Sequence, residues 1–85
     1  MTTTTIAMLE AALVATDDNC ARARAMLKVT YEAKTLTKRV LADQKRLNAY
    51  LNQQEQERIV LRAKLADAYS QLALERALDH QKAAE

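Results

Sequence analysis

The sequence contains no glycine, no proline, no tryptophan and no phenylalanine. Without glycine and proline, two-residue hairpin turns, β-bulges and glycine-rich phosphate loops lose the residues that usually build them. One cysteine, Cys20, cannot form an intrachain disulfide and suits a reducing compartment. One histidine, His80, and no second cysteine leave no spacing from which a zinc site is assembled. No apolar run approaches the roughly 20 residues of a membrane-spanning helix, and the N-terminus lacks the basic region and apolar stretch of a secretory signal. A cytoplasmic location is the resulting expectation.

What fills the chain is Ala, Leu, Lys, Arg, Gln and Glu, all good helix formers, with apolar residues recurring at three- and four-residue spacing. The expected class is therefore all-α. A chain of 85 residues with a formal net charge of +2 forms one domain with a thin core. Such a core calls for oligomerisation or a stabilising partner.

Three helices are expected within this single domain, a short N-terminal helix followed by a long antiparallel, coiled-coil-like hairpin. Thr2 to Thr5 supply candidate N-caps for a helix over about 3–15, with Ile6, Leu9 and Leu13 on one stripe. Thr16-Asp17-Asp18-Asn19 reads as a break, because these side chains compete with the backbone for hydrogen bonds. The second helix is expected over about 18–51, with Met26, Val29, Ala33, Leu36, Val40, Leu47 and Leu51 sharing a stripe that Asp43 interrupts. The polar run Asn52 to Arg58 reads as a turn, and Asn52 with Glu55 as a capping-box-like restart. A hairpin is preferred to one continuous helix of roughly 100 Å, since a hairpin buries part of its own core.

The third helix, about 54–82, has two apolar sides. Leu61, Leu65, Ala68 and Leu72 form one, with Tyr69 alongside. Ile59, Ala63, Ala66, Ser70, Ala73 and Ala77 form the other, flanked by Val60, Leu74 and Leu78. A helix that is apolar on two sides is usually buried on two sides. The expected partner-binding set is therefore Ile6, Leu9 and Leu13 with Ile59, Ala63, Ala66, Ala73, Leu74, Ala77 and Leu78. Its occupant is a helix of another protein or a second copy of the chain.

No catalytic constellation, cofactor site or metal site is expected. His80 reads as a solvated residue near a helix end, and Cys20 as a small buried apolar residue. The rival signal is basic: eight Lys and Arg against two acids between Arg22 and Arg46, with Tyr31 among them. Arg24, Lys28, Lys38, Arg39, Lys45 and Arg46 are the candidate anion-binding set for a nucleic-acid backbone. The bland alternative, a solvated helix face, is preferred, and a membrane role is not expected.

The features follow one another in order: a threonine-rich start running Thr2-Thr3-Thr4-Thr5-Ile6-Ala7-Met8-Leu9-Glu10 to Leu13, the acidic pair Asp17-Asp18, a basic helix, and Gln53-Gln54. In this layout the chain resembles the small co-chaperones of type III secretion needle subunits. The resemblance implies a cytoplasmic helical arm and hairpin that joins a second chaperone and keeps an aggregation-prone needle subunit monomeric. Phage-type adaptors or inhibitors and homodimeric coiled-coil spacers share the same general look.

Overall fold

The computed structural model describes residues 2–84. They form two helices, α1 (Thr2–Tyr31) and α2 (Lys38–Ala84). These fold against each other as an antiparallel hairpin, a rod of 73 × 15 × 14 Å. The all-α hairpin stands as expected from the sequence, but its helix bounds do not. The expected bounds of about 3–15, 18–51 and 54–82 are replaced by one break, at 32–37.

The turn sits where helix propensity is weak. Val29, Thr30 and Tyr31 are β-branched or aromatic, and Thr35 and Thr37 follow within a few residues. The Thr30 hydroxyl donates to the Leu27 carbonyl at 2.7 Å. The Glu32 amide still reaches the Lys28 carbonyl at 3.0 Å, and the Ala33 amide reaches that of Thr30 at 3.3 Å, a tightening last turn. Thr37 then caps α2: its hydroxyl accepts from the Val40 amide at 3.2 Å, and its carbonyl accepts from the Leu41 amide at 3.1 Å. No described residue has positive φ, so this six-residue link needs no glycine.

The seam between the helices follows alternating steps of four and three. On α1 it runs Thr2, Ile6, Leu9, Leu13, Thr16, Cys20, Ala23, Leu27 and Thr30, all buried or half-buried. On α2 it runs Val40, Gln44, Leu47, Leu51, Gln54, Arg58, Leu61, Leu65, Ala68 and Leu72, again buried or half-buried. This is the heptad pattern of a coiled coil. Leu61, Leu65, Ala68 and Leu72 face inward as expected, but they pack on α1 and not on a separate helix over about 18–51, the partner that the sequence pointed to. The stripe expected to begin at Met26 and Val29 is displaced by one position, since Leu27 is buried and Met26 is 57% exposed.

The two polar stretches read as breaks meet each other across the middle of the rod. The Thr16 hydroxyl donates to the Ala12 carbonyl at 2.9 Å, one turn back within the helix. Asp17 accepts from Arg58 at 3.4 Å, Asn19 donates to Gln54 at 3.2 Å, and Arg24 donates to Glu55 at 2.8 Å. Side chains that would otherwise compete for backbone groups thus have partners, and the helix continues through them. No buried side-chain nitrogen or oxygen among the described residues lacks a partner.

Candidate interaction surface

A two-helix rod leaves much of its apolar surface uncovered. Among the described residues, the buried apolar side chains are Ile6, Cys20, Ala23, Leu27 and Ala68. Thirteen large apolar side chains are exposed, so the hairpin displays more than it hides.

The heptad seam divides the remaining surface into two flanks and an outer face. One flank is crossed by polar contacts between the helices: Tyr69 donates to Glu10, Arg24 pairs with Glu55, and Asn48 contacts the Tyr31 hydroxyl at 3.4 Å. Glu10 holds the Tyr69 phenol above its ordinary pKa of 10.0, chiefly by accepting its hydrogen bond, then through partial burial and its own charge. The opposite flank carries two grooves. One, of 560 Å³, lies near the turn between Met26, Val29, Thr30, Asp43, Arg46, Leu47 and Tyr50. The second, of 570 Å³, lies near the open end beside Thr5, Leu9, Lys64 and Ala68.

The expected partner-binding set is split by this arrangement. Ile6 is buried at 7% exposure, and Leu9 and Leu13 are half-buried, all three within the seam. Their availability to a partner is therefore corrected: α1 is a full-length strut of the hairpin, and its apolar stripe is consumed by α2. Ile59, Ala63, Ala66, Ala73 and Ala77 are exposed on the outer side of α2. Heptad position puts Ala7 and Val14 of α1, both exposed, beside them. Leu74 and Leu78 are exposed too, but they fall on the grooved flank.

The candidate anion-binding residues gather around the turn, for a reason the sequence alone did not reveal: the break at 32–37 folds their two halves side by side. Arg24 pairs with Glu55, Lys28 with Glu32 at 4.0 Å, and Arg46 with Asp43. Lys38, Arg39 and Lys45 are exposed near the start of α2. Residues 19–57, the turn half of the rod, have net charge +4, and the remainder has −2.

Among the described residues, no group of three or more His, Cys, Asp or Glu side chains is placed to hold a metal ion. No described helix is long and apolar enough to cross a membrane. Reading the grooved flank from sequence required the seam's phase, which the polar centre obscured; Met26 and Val29, taken for core, line it instead. No protein-family model, curated protein or solved structure matches the chain.

Proposed function

We propose that this chain is a non-enzymatic interaction module, a small cytoplasmic co-chaperone or adaptor that captures a helix of another protein. The observation that carries the reading is the exposed strip of α2 formed by Ile59, Ala63, Ala66, Ala73 and Ala77. From Ile59 to Ala77 it rises through 18 steps of about 1.5 Å, about 27 Å, enough for five turns of a partner helix. Small alanines let a helix axis approach closely, while Ile59 and Val14 provide larger apolar contacts at one end. The hairpin acts as the rigid half of a three-helix arrangement, and the captured helix as the mobile half.

The resemblance to needle-subunit co-chaperones supports the same mode of action. In that setting the captured helix belongs to a secreted subunit that aggregates when its apolar face is bare. Capture needs no chemistry, only coverage of that face until release.

The test is a pull-down from the native cell with mass spectrometry, comparing wild type with an Ala66→Glu/Ala73→Glu variant. Both positions are exposed, so helicity should be unchanged while partner capture falls at least tenfold. Undiminished capture by the double variant would refute the reading.

A further inference from the structure

The grooved flank leads to a separate conclusion, which does not depend on the alanine strip. Met26, Val29 and Tyr50 line the groove near the turn, and Leu74 and Leu78 project from the same flank near the open end. Along α2 the groove and the leucine pair are about 28 residues apart, roughly 42 Å. Their midpoint falls at Val60, itself 50% exposed and on that flank by heptad position. The midpoint of α2 (Lys38–Ala84) is the adjacent Leu61.

We infer that the grooved flank is the interface of an antiparallel homodimer, in which Leu74 and Leu78 of each copy enter the groove near the turn of the other. A twofold axis between Val60 and Leu61 seats both leucine pairs at once and overlaps the two rods along their whole described length. Isologous contact of this kind closes on itself and leaves no open end for further growth. Two hairpins joined flank to flank make a four-helix bundle, in which coiled-coil packing simply continues around a common axis.

Charges on the flank itself select the direction. The same axis sets Lys64 opposite Glu57 of the second copy and Gln71 opposite its Tyr50, each contact occurring twice, whereas parallel copies in register set Lys64 opposite Lys64 and Glu57 opposite Glu57. The area is also adequate. A rod 73 Å long, with a contact strip roughly 10 Å wide, covers roughly 700 Å² per copy, close to the ~800 Å² of a standard interface.

The experiment is sedimentation of the purified full chain together with cysteine cross-linking. Wild type should sediment as a dimer, and Leu74→Glu/Leu78→Glu as a monomer of unchanged helicity. Ala66→Glu/Ala73→Glu should remain dimeric, which separates this inference from the proposal above. In a Cys20→Ser background, Val60→Cys should cross-link to itself across the axis and Val29→Cys should not. Lys64→Glu should weaken the dimer at least tenfold, and adding Glu57→Lys should restore it. A monomeric wild type overturns the inference. So does a dimer indifferent to the two leucines, or one in which Val29→Cys cross-links to itself in place of Val60→Cys.

Discussion

Asn19 of α1 donates its side-chain amide to the side-chain carbonyl oxygen of Gln54 on α2 at 3.2 Å, near the middle of the rod and between apolar segments of the seam. Gln54 is buried. A part-buried amide pair of this kind is a register device: any slip of one helix along the other separates the two groups. Replacing both by apolar groups removes the desolvation cost while keeping the volume. Asn19→Leu/Gln54→Leu should therefore raise stability, by about 1 kcal/mol, and permit competing registers. Urea midpoints check the first effect and NMR peak doubling the second. Gln54→Leu alone should not stabilise to the same degree, because Asn19 is left without its acceptor.

Leu27→Ala should cost about 2–4 kcal/mol, the usual range for a buried leucine. Leu36, in the link and exposed, should tolerate the same change within about 0.5 kcal/mol. Chemical denaturation of the two variants beside wild type measures both. Equal losses would mean that the seam lies elsewhere.

Thr37→Ala should destabilise the hairpin by about 1 kcal/mol, through loss of the hydroxyl that accepts from the Val40 amide. Thr37→Asp should recover most of this and gain from the positive end of the α2 dipole. Thermal melts followed by circular dichroism distinguish the three chains.

The Tyr69–Glu10 contact predicts a dependence on alkaline pH. The phenol's pKa is raised in the folded hairpin, first by its hydrogen bond to Glu10. Its contribution is fully present below the unfolded value of about 10 and is lost as pH rises through the higher folded value. Wild type should therefore lose more stability than Tyr69→Phe between about pH 9 and about pH 11. Melting temperatures of the two chains across that interval give the result. Parallel curves would show that the contact does not form in solution.

The class and the hairpin were legible because alanine, leucine and heptad spacing dominate and nothing breaks helices by covalent geometry. The positions of the breaks were not legible, and the residues responsible can be named. Asp17, Asn19, Gln54, Glu55 and Arg58 have the chemistry of turns and caps, yet each has a partner on the other helix. Their meaning depends on tertiary pairing, which a local reading lacks. Conversely, the real turn at 32–37 lacks the usual punctuation, and its signals, Thr30 and Thr37, were weaker than the polar runs. The alanine strip from Ile59 to Ala77 was legible because it depends only on periodicity within one helix. The grooved flank was not, because it needs the relative phase of two.

The link at 32–37 makes no demand on backbone conformation that only one residue type could meet, and beyond the Thr37 cap its role is connection. What it supplies is proximity. It keeps α1 beside α2 at an effective concentration on the order of millimolar, set by its length and hardly by its sequence. The hairpin is then one self-complementary pair of strands on a tether. Cutting the tether should leave a heterodimer whose two pieces find each other again, with affinity reporting directly on the seam.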